Sequence, residues 1–324
     1  MPFRLLFTNF LILLMLSCES SEPRSTSATV KTEPTSTIEV RALSGRLLTP
    51  PVDAPSARQR KDSLLRIAER DLRRDSSQVE HWVWYGRRVA YLWHYPEAIG
   101  IYTEALKRFP ESAELYRHRG HRYLSIRKFA EAARDFDQAA ALIADEPLRI
   151  EPDGIPNRIN QPLSNLQFNI YYHWGLAEYL MKNFEEAAAL YRQCMDYSDH
   201  PDLKVATADW LYMTYRRLGE ESEAQKLLEQ IPTDWEMVEN DSYYQRIKMY
   251  KGMIKPEALL NLETDSLEDQ LDLVTQGYGV GNWYLYELRD STRANTIFRK
   301  ILDTDYWAAF GYIAAEAELY DYVR

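Results

Sequence analysis

Three histidines are the side chains whose type and spacing come nearest to a reactive site. His118 and His121 are three residues apart, so they share one face of a helix. Together with His173 they could hold zinc, if each ring nitrogen lay about 2.0 to 2.1 Å from one ion. A long insertion separates His173 from the other two and can hold the rings apart. We therefore predict no metal, and interpret the three histidines as polar residues of a binding surface.

Other chemical motifs are weak or absent. The run Gly277-Tyr278-Gly279-Val280-Gly281 has no preceding strand and lacks the full dinucleotide-binding pattern, so it predicts a bend at the start of a helix. The sequence contains no His-Glu-x-x-His pair, no Gly-x-Ser-x-Gly elbow and no Gly-x-x-x-x-Gly-Lys loop. We predict no catalytic residue and no cofactor, and hence a protein that is not an enzyme.

The segments that position these residues form a repeat. Residues 79 to 146 match themselves when shifted by 34 positions. The small and aromatic residues that coincide are Gly86 and Gly120, Ala98 and Ala132, Tyr102 and Phe136, and Ala105 and Ala139. Small residues among large apolar ones predict two short helices that touch closely, and a period of this length is typical of a helical solenoid.

The first copy, with Trp82-x-x-Tyr85-Gly86, Ala98, Tyr102, Ala105 and Pro110, resembles the tetratricopeptide (TPR) repeat. The resemblance implies an all-α fold, a right-handed α-solenoid of TPR-like helix pairs. It also implies that the first helices of successive repeats line a concave groove in which a protein or peptide binds.

Further copies extend the array to about six repeats over residues 59–324. In the third copy Cys194 takes the small buried position of Ala105 and Ala139, so we predict a structural thiol rather than a nucleophile. In the degenerate fifth copy, residues 255–259 predict the start of a second helix, and Arg246 replaces the repeat glycine. Turn-forming residues at 147–166 predict a long inserted loop between the second and third copies.

The N-terminus has the pattern of a leader. An apolar run from Leu5 to Leu16 follows Arg4 and is short for a membrane span, which is typical of a secretory signal. Met15-Leu16-Ser17-Cys18 resembles the lipobox of bacterial lipoproteins, which implies that residues 1–18 are a signal peptide and that Cys18 is lipidated. In that family an Asp after the Cys favours inner-membrane retention, so Glu19 favours the outer membrane. We expect an extracytoplasmic, lipid-anchored protein of the bacterial outer membrane or cell envelope.

The segment after the leader predicts a tether. Residues 19–58 are rich in Ser, Thr, Pro and Glu, and they cannot bury enough apolar surface to offset the entropy of ordering. An amphipathic helix is predicted from about Ala57 to Asp75, where it would cover the first repeat.

Charge and repeat register together predict a ligand groove. Residues 61–135 carry 15 Lys or Arg and 11 Asp or Glu, a balance of +4, whereas residues 218–275 carry 5 and 14, a balance of −9. An acidic ligand is therefore expected near the N-terminal repeats. The groove residues predicted from the register are Trp84, Arg87, Arg117, His118, His121, Tyr172 and His173.

These observations favour a membrane-anchored scaffold that binds a protein or peptide without catalysis. The nearest alternative within binding proteins is an outer-membrane protein assembly factor. A different class is a glycan-binding lipoprotein, in which Trp and Tyr would stack on sugars. An enzyme is the third class. A formal net charge of −10 argues against nucleic acid as the partner, because binding to nucleic acid depends mainly on cations that meet phosphates.

Overall fold

Helices make up nearly all of the regular structure. The computed structural model describes residues 39–260, 262, 267–320 and 322, and these ranges contain 13 α-helices and one two-stranded antiparallel hairpin. The hairpin strands are β1 (Val40–Arg41) and β2 (Leu47–Leu48). The helices are α1 (Pro55–Arg74), α2 (Val79–Ala90), α3 (Tyr95–Leu106), α4 (Ala113–Ser125), α5 (Phe129–Leu142), α6 (Leu166–Leu180), α7 (Phe184–Asp196), α8 (Pro201–Leu218), α9 (Glu221–Glu229), α10 (Asp241–Tyr250), α11 (Leu267–Tyr286), α12 (Ser291–Leu302) and α13 (Phe310–Leu319).

The helices pack as consecutive pairs, which confirms the predicted α-solenoid of TPR-like repeats. The pairs are α2 with α3, α4 with α5, α6 with α7, α8 with α9, and α11 with α12. Helix α1 packs on α2, close to the predicted position.

A glycine in the first helix of each of the first three pairs faces an aromatic ring of the second helix. A Cβ added at Gly120 would lie 2.9 Å from ring atoms of Phe136, and one added at Gly175 would lie 2.8 Å from the ring of Tyr191. Gly86 faces Tyr102 in the same way. The repeat register is therefore fixed by backbone-to-ring contacts that leave no room for a side chain.

The N-terminal part of the fold differs from the prediction. The predicted tether 19–58 is wrong over its last part, because residues 39–54 form the hairpin and an ordered connection to α1. Val40, Ala42 and Leu48 are buried in the main core. The sequence pattern does not predict this hairpin, because each strand is only two residues long and the three buried residues are two and six positions apart. Residues 1–38, which hold the predicted signal peptide and Cys18, lie outside the described residues.

Two local predictions in the C-terminal half are also corrected. The second helix of the fifth repeat is reduced to a single 3₁₀ turn, Pro256–Ala258. The glycine run at 277–281 lies inside α11 and makes no bend at its start. Arg246 packs against Gly279, where a Cβ would lie 2.2 Å from its Cδ, and Arg246 pairs with buried Asp209. The glycine thus makes room for the arginine that replaces a repeat glycine.

The last helix, α13, packs against α11, α12 and the more distant α6. Glu316 of α13 is buried and pairs with Arg127, which lies in the turn between α4 and α5. Trp307 stands just before α13, and the centroid of its ring lies 5.0 Å from the centroid of the Trp93 ring. The C-terminal end of the chain is therefore joined to the first, second and third repeats.

Among the described residues, none of the helices combines the length and the apolar composition needed to cross a bilayer.

We expect Gly120→Ala to destabilise the fold, because the new methyl group overlaps the Phe136 ring and overpacking typically costs about 1–3 kcal/mol. The matched control is Gly100→Ala in α3, where a Cβ meets nothing within 4 Å. That change should be neutral or stabilising by up to about 1 kcal/mol, since Ala favours a helix over Gly. Urea unfolding of both variants measures the difference, and equal effects would contradict the register.

Candidate functional site

The predicted groove residues lie on the first helices of three successive pairs. Trp84 and Arg87 are on α2, and the remaining five are on α4 and α6. Helix α4 contacts both α2 and α6. The structure thus brings these side chains onto one inner face, as the register predicted. It also places two further segments on that face, the 147–166 insert and α13.

The centre of the inner face holds a carboxylate from the insert. Glu151 Oε2 lies 3.1 Å from Arg117 Nε, and Glu151 Oε1 lies 3.3 Å from His118 Nε2. Asn169 Nδ2 donates to Glu151 Oε2 over 3.0 Å. All four residues are at most 9% exposed. Arg117, which the sequence predicts as a groove residue, therefore binds a carboxylate, and that carboxylate belongs to Glu151 of the same chain.

His118 completes this arrangement as a neutral ring. Arg117 Nη1 donates to His118 Nδ1 over 2.9 Å, which leaves the His118 proton on Nε2, facing Glu151. Burial, and then the nearby charge of Arg117, hold the pKa of His118 well below its usual range. The cluster therefore contains one cation and one anion, joined by a neutral imidazole.

The backbone of the insert lies along α2. Arg87 Nη1 donates to the carbonyl oxygen of Pro152 over 2.9 Å, and Arg88 Nη1 donates to that of Gly154 over 3.3 Å. A side chain at position 154 would overlap the Tyr91 hydroxyl, so only glycine allows this close approach. The two guanidinium groups also lie 4.4 and 4.7 Å from the centroid of the Trp84 ring.

The far end of the insert is held by the loop before α10. Arg158 donates to the carbonyl oxygen of Met237 over 2.9 Å, and Asn157 Nδ2 donates to Glu239. Asn157 Oδ1 also accepts the backbone N–H groups of Ile159 and Gln161. The insert therefore bridges the first repeat and the fourth by polar contacts.

The other two histidines lie beside the last helix. The ring centroids of His121 and His173 are 4.5 Å apart. The ring centroid of Phe310, in α13, lies 5.4 Å from that of His121 and 5.3 Å from that of His173. His173 Nδ1 donates to the carbonyl oxygen of Asn169. Within the described residues, no group of three or more His, Cys, Asp or Glu side chains has a geometry that could hold a metal ion.

The insert and α13 therefore cover much of the inner face, and several of the predicted groove residues contribute to packing within the fold. Arg117, His118, Tyr172 and His173 are buried, and Tyr172 donates to the Tyr243 hydroxyl over 3.2 Å. Trp84, Arg87 and His121 are partly exposed. Ligand binding by these seven residues remains a prediction.

Sequence reasoning missed Glu151 and Arg88 as members of this surface. The signal available was an acidic residue within a turn-rich insert next to a basic pair of repeats, but periodicity carries no information about where an insert folds.

Cys194 occupies the predicted small position, where it is buried and its sulfur lies 3.3 Å from Thr207 Oγ1. Burial raises its pKa to about 12, which disfavours a thiolate nucleophile.

Comparisons with known proteins give distant structural similarity. No family model matches the chain, and no curated protein matches it significantly. YrrB, described as a TPR protein with an unusual peptide-binding site, is 12% identical over 73% of this chain and 91% of its own, with a TM-score of 0.40. A tetratricopeptide repeat protein from Parabacteroides merdae ATCC 43184 is 12% identical over 80% of this chain and 94% of its own, with a TM-score of 0.46.

A third similar structure is that of Naa15/Naa10 bound to HypK-THB. It is 17% identical over 76% of this chain, with a TM-score of 0.36, and this chain spans 35% of the matched chain's length. At these identities and TM-scores, the three structures indicate no ligand for this chain.

The buried histidines predict loss of stability in mild acid. Burial lowers the pKa of His173 to about 3, whereas an unfolded histidine titrates near about 6.5. The stability from a neutral His173 is thus complete above about pH 6.5. It falls as pH decreases, by about 1.4 kcal/mol per unit, because only the unfolded chain takes up the proton.

Urea unfolding between pH 7.5 and 5.5 measures this effect. His173→Gln should show a shallower loss of stability than the wild type. His94→Gln is the control for a histidine whose side chain is 49% exposed, and it should change the slope less than His173→Gln does. Equal slopes for the wild type and His173→Gln would contradict the assignment.

Proposed function

We propose that this protein is a membrane-anchored, non-catalytic repeat scaffold that binds a protein or peptide. The observation that carries the proposal is the contact between the inner face and the extended segment 150–155 of its own chain. Arginines donate to two backbone carbonyl oxygens, and a buried Arg–His pair receives one carboxylate. Backbone contacts combined with one specific side-chain pocket are the usual means of recognising an extended peptide.

The same contacts define the ligand that the inner face would bind. An acidic residue would occupy the place of Glu151, and the adjacent carbonyl oxygens would accept from Arg87 and Arg88. Such a ligand competes with the insert, so the insert acts as a resident occupant of the site. Glu151 is held by the buried guanidinium of Arg117 and by a hydrogen bond from Asn169. Polar contacts to charged groups are worth roughly 1.5–3 kcal/mol, so the carboxylate would be the main source of selectivity.

Peptide binding can be tested with a copy of the resident segment. In Glu151→Ala, Arg117 and His118 lose their buried partner. A synthetic peptide with the sequence of residues 150–157, which contains one Glu, one Asp and no cation, can restore it. We expect the peptide to raise the melting temperature of the variant and to bind it at least about tenfold more tightly than the wild type, whose site is filled.

The control peptide carries Gln in place of the glutamate and should bind roughly tenfold more weakly, since it lacks the charge. Circular dichroism of Glu151→Ala checks that the helices persist. A folded variant that fails to bind the acidic peptide, or binds both peptides equally, would overturn the inner face as the site.

The membrane attachment in this proposal depends on the lipobox-like sequence that ends at Cys18. Acyl chains contribute about 0.8 kcal/mol per buried methylene, and two signals are needed for stable attachment. In a bacterial host, Cys18→Ala should therefore leave the protein uncleaved or release it from the membrane. Mass spectrometry of the mature N-terminus after fractionation measures this, with Ser17→Ala as a control that retains the cysteine. Unmodified Cys18 in mature protein recovered from membranes would contradict the anchor.

A further inference from the structure

An open cleft lies between α5 and α7. It has a volume of about 340 Å³, and α6 forms its floor. The floor consists of Tyr171 and Trp174, whose rings are stacked with centroids 6.2 Å apart. Four alanines form much of the wall, and these are Ala140, Ala141, Ala144 and Ala189. The small side chains of the walls and the aromatic rings of the floor leave space for a planar group.

The rim of the cleft is acidic. Asp137 of α5 and Glu186 of α7 both line it, and both are exposed. Neither carboxylate forms an ion pair with a cation within the part of the chain that the structure describes. Gln193 adds a neutral polar group and donates to the Tyr171 hydroxyl over 3.0 Å. The charge of the rim therefore favours a cationic occupant.

The preceding repeat interface shows which cation fits. By the repeat register, Trp174 corresponds to Arg119, Tyr171 to Tyr116, and Asp137 to Thr103. Arg119 belongs to α4, and its side chain extends between α3 and α5. There it donates to both carboxylate oxygens of Asp135 over 2.7 Å and to Thr103 Oγ1 over 3.2 Å. Its guanidinium carbon lies 5.5 Å from the centroid of the Tyr116 ring. At this interface, the chain supplies its own guanidinium.

The next interface has lost that guanidinium and keeps only part of its surroundings. Tryptophan replaces Arg119 and extends the aromatic floor, while Ala189 and Leu190 replace Arg134 and Asp135. Tyr171 is retained as the equivalent of Tyr116, and the carboxylate now comes from Asp137, on the opposite wall. Beside the Trp174 ring the space between α5 and α7 is open, whereas at the preceding interface Arg119 spans from Thr103 to Asp135.

We propose that the cleft between α5 and α7 binds an arginine side chain of a partner protein, stacked on Trp174 and paired with Asp137 and Glu186. Arginine suits this cleft better than lysine because its planar guanidinium can stack on an indole and donate to two carboxylates at once. This inference rests on the proposed scaffold function and adds to it a second surface, with a basic rather than an acidic ligand.

The test uses short capped peptides as probes. In the purified ¹⁵N-labelled protein, the indole N–H resonance of Trp174 is identified by its loss in Trp174→Phe. Titration with acetyl-Ala-Arg-Ala-amide should shift this resonance to saturation. The same peptide with citrulline, which keeps the shape but lacks the charge, should bind roughly fivefold or more weakly, and the lysine peptide should also bind more weakly than the arginine peptide.

Two variants separate the proposed contacts from general charge attraction. Asp137→Asn with Glu186→Gln should weaken binding of the arginine peptide roughly fivefold. Trp174→Arg places a guanidinium of the chain at the position of Arg119, next to Asp137 and Glu186, so it should compete with the peptide and abolish binding. Because this variant lacks the indole, its binding is measured from the amide resonances of α5 and α7. Asp196→Asn and Glu185→Gln, also on α7 but outside the cleft lining, are the matched charge controls and should have no effect.

Absence of a saturable shift at Trp174, equal binding of the citrulline or lysine peptide, or unchanged binding by the Asp137→Asn, Glu186→Gln variant would each overturn the proposal. These outcomes do not depend on the inner face. The acidic peptide of residues 150–157 binds or fails to bind the Glu151→Ala variant regardless of the state of the cleft, so failure of either proposal is recognised separately.

Discussion

The buried ion pair between Arg127 and Glu316 holds the last helix, α13, against the second repeat, and the covering of the inner face depends on this contact. Arg127 Nε lies 2.8 Å from Glu316 Oε2, both side chains are at most 3% exposed, and Arg127 also donates to the carbonyl oxygen of Trp307 over 2.8 Å. Glu316 Oε1 accepts the backbone N–H of Leu43 over 2.9 Å. Buried charges are tolerated only when nearly all of their hydrogen-bonding capacity is used. The pair therefore fixes the hairpin, the second repeat and α13 in one arrangement.

This closure determines which surfaces are available for binding. With α13 held in place, Phe310 covers His121 and His173, and the insert covers Arg117 and His118. The inner face is accordingly already occupied by the chain, and a ligand there must compete with a tethered segment at high effective concentration. The cleft between α5 and α7 has no such occupant among the described residues. The two proposed surfaces thus differ in charge and in the cost of access.

The repeat register was the part of the fold that could be predicted from sequence. Glycines at 86, 120 and 175 and the rings that face them are fixed by local spacing, and spacing is visible in one sequence. The same register placed the seven groove residues on one face and Cys194 in a buried position. These predictions needed only the geometry of two helices in contact.

Features that depend on distant contacts could not be predicted in this way. The ordered segment at 39–54, the position of Glu151 and the docking of α13 each rely on partners at least 18 residues away, such as Leu43 with Glu316. The open cleft was missed for a different reason: its signal is the replacement of Arg119 by Trp174 at one repeat position, which has meaning only once Arg119 is seen to fill the equivalent space.

The closure of the array can be measured by a double-mutant cycle on Arg127 and Glu316. Arg127→Met and Glu316→Met each leave one charge buried without its partner, so each should lower the free energy of unfolding by roughly 3–5 kcal/mol. The double variant leaves neither charge, and it should be clearly more stable than the sum of the two single effects indicates. Additive losses, or single variants as stable as the wild type, would show that α13 is not held against the second repeat and would contradict the account.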